Sequence, residues 1–374
     1  MSPALIGIDA SRSYTVPMTG TERYSRRIIE HMIDIQPENA EFRLYFNHSP
    51  PEHAVFGRAE CRTLPARRFW THYRLSKEMR ESPVDVLFVP SHVLPVIHPP
   101  ASVVTIHDLG YLYEPESHTL TSRTQLSLTT RWNVSRASHV IAVSEATRLD
   151  MITYLQVSPD RVSVVPHGVE PRFHPLDTDQ IERYRRAARL PERFALYLGT
   201  IQPRKNLGRL ISAFELCAEQ DPDLHLVLAG KPGWMAEPVL NRARQSPFSE
   251  RIRLTGYVPD AQLPLLYGAA SVFAFPSLYE GFGLPVLEAM ACGVPVVISS
   301  RGALPELAGA DAQIIDARDT QGLAAAVAEA AERRFDSALV QQRSAHARQY
   351  SWDEAARKTV NVLLAQIEAE KGTP

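Results

Sequence analysis

The chain has few cysteines, no long apolar runs and no charge imbalance. Only Cys61, Cys217 and Cys292 occur among 374 residues. They lie far apart, so neither a CxxC metal pair nor an even disulfide framework can be drawn, and a reducing cytosolic setting fits. No window approaches the ~18 uninterrupted apolar residues of a membrane span. The stretch Met1 to Ala10 has no basic run before its apolar residues, and Asp9 interrupts them, which argues against a secretory signal. Forty Lys and Arg against 42 Asp and Glu leave a formal charge of -2, without the basic excess of a dedicated nucleic-acid binder.

What is present is a chain 44% hydrophobic and 22% charged, long enough for two cores, since single cores stop growing beyond ~250 to 300 residues. Leu5 to Asp9 reads as a strand, and Tyr24, Ile28, Ile29, Met32 and Ile33 fall at helical spacing in Thr21 to Ile35. Further strand-like runs follow at Phe42 to Phe46, Val86 to Val89, Val103 to Ile106, His139 to Val143 and Val162 to Val165. A second series comprises Phe194 to Leu198, Leu224 to Ala229, Ile252 to Leu254, Val272 to Phe275 and Val294 to Ile298. Alternation of strands and helices predicts an α/β chain of two doubly wound parallel sheets. The expected boundaries are a first domain over 1–172, a linker over 173–192, a second domain over 193–350 and a C-terminal helix over 351–374. That helix carries Ala356, Val360, Leu363, Leu364 and Ile367 on one stripe and must dock somewhere. Ligands of open α/β sheets bind beyond the carboxyl ends of the strands, so the cleft between two facing sheets is the expected site.

Three stretches carry chemistry. In the first, an apolar strand runs into a loop with Glu280, Gly281, Phe282 and Gly283, and a helix opens at Pro285, a favoured first helical position. Free amides at a helix N-terminus hold phosphate oxygens, and Glu288, read as lying in the first turn, is placed to reach ribose hydroxyls. Taken alone, the same residues also fit a helix cap, a turn and a solvated acid. The glycine spacing lacks the sixth-position Gly or Ala of the dinucleotide fingerprint, which disfavours hydride transfer.

In the second stretch, a strand ends at Gly199, and Arg204 and Lys205 follow before a helix near Asn206. Arg grips a diphosphate bidentately and Lys adds a compact charge, although such a pair also fits a solvated loop. In the third, His107 and Asp108 end an apolar strand, where His107 either contacts a substrate hydroxyl or is a structural histidine. Gly20-Thr21 opens the first helix, as a phosphate site or an ordinary cap. Asp177-Thr178-Asp179 reads as a helix cap and Asp221-Pro222-Asp223 as a turn; neither is taken as a metal site.

The sequence Glu280-GFGLPVLE-Glu288, taken in order with Arg204-Lys205, His107-Asp108 and Val165-PHGVE-Glu170, resembles glycosyltransferase family 4, the retaining nucleotide-sugar transferases of GT-B fold. The resemblance spans nearly the whole chain, and Gly199-TIQPRKNL-Leu207 is similar to bacterial mannosyltransferase-type members that build surface polysaccharides. It implies two Rossmann-like domains facing a cleft, with the C-terminal helix crossing back to the first. It also implies that Arg204 and Lys205 stabilise the leaving diphosphate, that Glu288 holds the ribose, and that Glu280 and the amides of Gly281, Phe282, Gly283 and Leu284 meet the donor sugar. His107 would approach a far sugar hydroxyl. Gly20 and Gly199 would allow close approach to the donor, and Gly230 and Val258 would border the base.

The implied reaction is hexosyl transfer to a hydroxyl of a glycan or lipid-linked acceptor, with retention, without metal or other cofactor, and with GDP-mannose favoured over a UDP-hexose. An epimerase or a noncatalytic nucleotide-sugar-binding subunit on the same scaffold is the alternative. Acceptor-binding residues, linkage and oligomeric state are not legible. The segment Arg58 to Arg80 has seven cations against two acids, with Phe69, Trp70 and Tyr73 interleaved. It is expected either to touch anionic lipid at the inner face of a membrane or to be a solvated basic face.

Overall fold

The computed structural model describes residues 3–372 except 16, 17, 19, 36, 52, 53, 67, 92 and 118. Arg67 of the basic segment therefore lies outside the described residues. The chain divides into two compact units, one of Met1–Tyr111, Thr119–Gly168 and Ser351–Pro374, the other of Leu112–His118 and Val169–Tyr350.

In the first unit the strands are β1 (Ala4–Asp9), β2 (Ala40–Phe46), β3 (Glu60–Thr63), β4 (Val86–Val89), β5 (Ser102–Ile106), β6 (His139–Ala142) and β7 (Val162–Val164), in the order β3-β2-β1-β4-β5-β6-β7. All neighbours run parallel. β4, β5 and β6 are buried along their whole length, as strands covered on both faces must be, which is why they read as unbroken apolar runs. The helix Gly20–Asp34 buries the stripe Tyr24, Ile28, Ile29, Met32 and Ile33. Against it packs the C-terminal helix Trp352–Lys371, which buries Trp352, Ala356, Val360, Leu363 and Ile367 and is capped by Ser351. The stripe that needed a partner thus finds it on the first unit. Gly168 makes the return of the chain feasible, because a Cβ there would stand 2.1 Å from the Trp352 nitrogen.

The second unit holds β8 (Arg193–Leu198), β9 (Leu224–Ala229), β10 (Ile252–Gly256), β11 (Val272–Phe275), β12 (Val296–Ser299) and β13 (Gln313–Ile315), in the order β10-β9-β8-β11-β12-β13. Its pairs are also parallel.

The segment 173–192, expected as a linker containing a charged helical stretch, forms the helix Thr178–Ala187, packed on the helix Leu263–Ala269 within the second unit. Gly268 admits it, since a Cβ there would press Ile181 at 3.1 Å. Asp177 caps this helix by accepting from the Asp179 amide, and Asp221 closes its turn by accepting from the amides of Asp223 and Leu224. β3 and β13 were not foreseen, because edge strands are short and, in β3, largely exposed, so no apolar run marks them.

Candidate active site

The carboxyl ends of β8 and β11 bring together the cations and the acid singled out in the sequence. After β8 the chain makes a short 3-10 turn, Pro203–Lys205, and Asn206 then takes the left-handed conformation (φ 58°) before the helix Leu207–Gln220. Asn206 Nδ2 donates to the carbonyls of Pro276 (3.1 Å) and Ala317 (2.7 Å), and the Leu278 amide donates to the Arg204 carbonyl at 2.9 Å. These bonds pin the Arg-Lys turn to the loop after β11.

Lys205 Nζ meets Glu280 Oε1 at 2.5 Å, and Arg204 Nη1 meets Glu280 Oε2 at 3.0 Å while also donating to the Tyr279 carbonyl. Lys205 is nearly buried and also lies over the Phe275 ring, 5.0 Å from its centroid. Burial pushes the Glu280 carboxyl up, but Arg204 and Lys205, aided by the hydrogen bond from Lys205, outweigh it and hold the group at about 2. Tyr197 lies fully buried beside them; burial, and then the Glu280 charge, push its phenol well above the ordinary value, so it stays neutral and donates to the Thr200 carbonyl.

The backbone of Glu280 is held from the other side, where the Ala303 amide donates to its carbonyl at 2.9 Å. Gly302 (φ 59°) allows this contact, since a Cβ there would lie 2.3 Å from the Glu280 oxygen. Gly283 (φ 125°) precedes the helix Leu284–Ala291, whose N-terminus opens at this loop with Pro285 in its first turn. Glu288 sits in the second turn of that helix rather than the first, buried, and Oε2 accepts from the Tyr267 hydroxyl at 2.9 Å. Tyr113 stacks on Tyr279 at 4.5 Å between centroids. No reading of the sequence singled out Tyr113, Tyr197 or Tyr267, because only the fold brings them to these carboxylates and to the Arg-Lys loop.

Gly199 and Gly230 lie side by side at the carboxyl ends of β8 and β9. A Cβ on Gly230 (φ 138°) would stand 1.9 Å from the Gly199 carbonyl oxygen, and the Gly230 amide donates to Gly256 at the end of β10. Val258 follows two residues beyond, buried. The residues expected at phosphate, ribose and base therefore all occupy one edge of one sheet. A groove of about 930 Å³ lies at the opposite edge, where Arg193, His225 and Ile252 begin or nearly begin β8, β9 and β10. It touches none of the chemistry-bearing residues.

In the first unit His107 directly follows β5. Its Nε2 is 2.9 Å from the Pro90 carbonyl, which can only accept, so Nε2 carries the proton and Nδ1 is the acceptor of the neutral ring. Burial lowers its pKa against the raising influence of that hydrogen bond, Asp108 and Glu22, and Tyr24 meets its ring edge-on at 4.8 Å. Gly20 is the first residue of its helix, exposed, and a Cβ there would meet nothing within 4 Å, so packing does not demand a glycine. Among the described residues no three His, Cys, Asp or Glu side chains are grouped to hold a metal ion, and no helix is long and apolar enough to cross a membrane.

Comparison with known proteins places this arrangement. The chain is similar to O-antigen chain mannosyltransferase B of Escherichia coli, 29% identical over 378 residues and covering 95% of this chain and 98% of that protein. In structure it is similar to a sucrose-phosphate synthase from Thermosynechococcus elongatus (TM-score 0.74, 20% identity, 99% and 100% of the two chains). It is also similar to Anabaena HepE in complex with UDP and glucose (TM-score 0.70, 16% identity, 97% and 99%). Residues 18–173 match the family described as Glycosyltransferase Family 4, and residues 180–353 match Glycosyl transferases group 1. Between them the two matches span most of the chain, which therefore belongs to the glycosyltransferases that join these two modules.

Proposed function

We propose that the chain transfers a hexose, with retention, from a nucleoside diphosphate sugar to a hydroxyl of a glycan or lipid-linked acceptor in polysaccharide biosynthesis. GDP-mannose is the favoured donor and a UDP-hexose the next. The observation that carries this reading is the pair Arg204 and Lys205, fixed at a strand's carboxyl end by Glu280, which is close in sequence to the N-terminus of the helix Leu284–Ala291. A diphosphate that departs with negative charge needs stabilisation of this kind, and it is usually the largest single protein contribution to such a reaction. The full-length similarity to a mannosyltransferase supports the sugar and the pathway class.

In this reading the diphosphate oxygens take the amides of Gly281 to Leu284, Glu288 accepts from the ribose hydroxyls, and Gly199, Gly230 and Val258 border the rest of the nucleotide. The acceptor hydroxyl attacks the anomeric carbon on the face from which the diphosphate leaves, and a departing phosphate oxygen takes its proton. No enzymatic nucleophile is then needed. His107, its proton committed to Pro90, offers Nδ1 to a sugar hydroxyl as an acceptor. With a lipid-linked acceptor the enzyme works at the inner membrane face as a peripheral protein.

A thermal-shift panel of GDP, UDP and their sugars tests the donor. A ligand that binds only the folded state at a hundred times its dissociation constant adds ~2.7 kcal/mol. Stabilisation by GDP-mannose above all others, with acceptor-dependent release of GDP and retained anomeric configuration in the product, is the expected result. Absence of a shift with every nucleotide would remove the proposal.

A further inference from the structure

The cationic segment singled out in the sequence is partly paired. Arg62 pairs with Glu60 and Glu78, Arg74 with Glu78, and Lys77 with Glu81. Among the described residues Arg58, Arg68 and Arg80 have no carboxylate partner, and further positive charge of this kind lies on the helix Leu120–Arg136. Its sequence, LTSRTQLSLTTRWNVSR, contains three arginines and no acid. Among the described residues no carboxylate pairs with Arg123, Arg131 or Arg136, and all three are exposed.

This helix is also barely held by its own unit. Its buried residues are Thr130, Asn133 and Val134, all near its C-terminal end, so the preceding ten residues contribute nothing fully buried. Leu120, Thr124, Leu128 and Arg131 recur at spacings of four, four and three, which is one face of a helix. On that face Leu120 is 76% exposed and Leu128 64%. A stable soluble helix turns its leucines inward. Here they stand outward between unpaired arginines.

The patch continues beyond the helix. Trp132 Nε1 donates to the Leu94 carbonyl at 3.0 Å, and the Leu94 amide donates to Asn133 Oδ1 at 2.9 Å. The same loop presents exposed Val96 and Ile97, and the Ile97 amide donates to Ser76 Oγ at 3.2 Å. Ser76 directly follows the π-helical turn Trp70–Leu75, on which Phe69 and Tyr73 are 77% and 70% exposed. Hydrogen bonds between side chains and backbone thus chain the helix, the loop and the turn into one apolar and cationic border.

We infer that the helix Leu120–Arg136 lays its Leu120-Leu128 face on an anionic lipid bilayer. Two physical terms favour that occupant: the leucines gain by leaving water for the acyl boundary, and each arginine near a negative surface adds attraction. A second copy of the chain fits poorly, because an isologous contact would set this acid-free helix against its own positive charge. The inference uses the reading of a lipid-linked acceptor only for its biological purpose; the contact with lipid stands or falls separately.

Co-sedimentation of the full chain with vesicles tests it, using phosphatidylcholine alone and phosphatidylcholine with a minority of phosphatidylglycerol. The expected result is binding to the anionic vesicles, weakened by salt. Arg123→Glu with Arg131→Glu, and separately Leu120→Ser with Leu128→Ser, should each lower the partition coefficient about tenfold or more. These exposed side chains lie outside the donor machinery, so donor hydrolysis by both variants should match the parent, which shows that they fold. Absence of binding to anionic vesicles at low salt, equal binding to neutral ones, or undiminished binding by both variants overturns the inference. So does loss of binding on Phe69→Ser with Tyr73→Ser when the helix variants bind normally. Failure of donor hydrolysis in the parent chain would count against the transferase reading and leave the lipid result intact.

Discussion

Lys205 Nζ stands 2.5 Å from Glu280 Oε1, and that contact ties the loop after β8 to the loop after β11. Because the other oxygen of Glu280 takes Arg204 at 3.0 Å, one nearly buried carboxylate holds two adjacent cations at a fixed separation. Their geometry is set by the fold, so the diphosphate of the proposed donor would meet charges that need no rearrangement.

Removing either cation should therefore act on turnover more than on folding. Arg204→Ala or Lys205→Ala is expected to lower turnover about 10²-fold or more, with circular dichroism unchanged. The measurement is product release at saturating donor. Near-parental turnover in either variant would remove the assigned role.

Two carboxyl groups should give the stability of the protein a pH signature. Burial pushes Asp9 up from 3.8 to about 6, against the lowering influence of Ser11 and Arg12. A carboxyl raised in the fold favours folding most below its unfolded value, and that contribution is lost as pH rises from about 4 to about 6, on the order of 3 kcal/mol. Glu280 has the opposite sign: held at about 2 rather than 4.5, its contribution is complete above 4.5 and lost as pH falls toward 2. Asp9→Asn keeps an acceptor for the Ser11 amide, which now bonds Oδ1 at 3.0 Å, and removes the titration. Relative to the parent, it should gain stability between pH 4 and pH 7 in chemical denaturation. A constant difference across that range would contradict the assigned environment of Asp9.

Gly230 and Gly20 should respond oppositely to alanine. At Gly230 a methyl group would collide with the Gly199 carbonyl on a backbone already at φ 138°, so Gly230→Ala is expected to cost roughly 3 kcal/mol or more. At Gly20 a methyl group meets nothing within 4 Å, so Gly20→Ala should stay within about 0.5 kcal/mol of the parent. A loss of donor affinity in that variant without a loss of melting temperature would mark Gly20 as a donor-contact position. Unchanged affinity would leave it an ordinary first residue of a helix.

Transfer activity is expected to persist in EDTA, because in the proposed reading Arg204, Lys205 and backbone amides would supply the positive charge that a divalent ion supplies elsewhere. Activity abolished by chelation and restored by manganese would contradict this.

Much of this protein was legible because its chemistry is local. Apolar runs announced β1, β2 and β4 to β12 apart from their ends, most plainly in β4, β5, β6, β11 and β12, where burial along the whole strand imposes hydrophobicity residue by residue. The short segments Glu280 to Glu288 and Gly199 to Leu207 showed a strand end, a loop and a helix start in one reading, which sufficed to nominate Arg204, Lys205, Glu280 and Glu288. Of the four edge strands, β3 and β13 escaped: β3, of sequence ECRT, is largely exposed, and β13 is only the three residues Gln313–Ile315.

Other features depended on residues far apart in sequence. That Glu280 pairs with Lys205 is a contact across 75 positions, and that Tyr267 holds Glu288 depends on two helices packing side by side. That Arg62 and Arg74 are spent on Glu60 and Glu78 while Arg123 and Arg131 are not is invisible to a count of charges. The sequence by itself determined the class of fold, the order of elements and the residue types at the strand ends, because each follows from local burial and turn chemistry. Tertiary structure alone decided which charges meet and which surface is left over, because pairing depends on distance in space, and only the closed sheets set that distance.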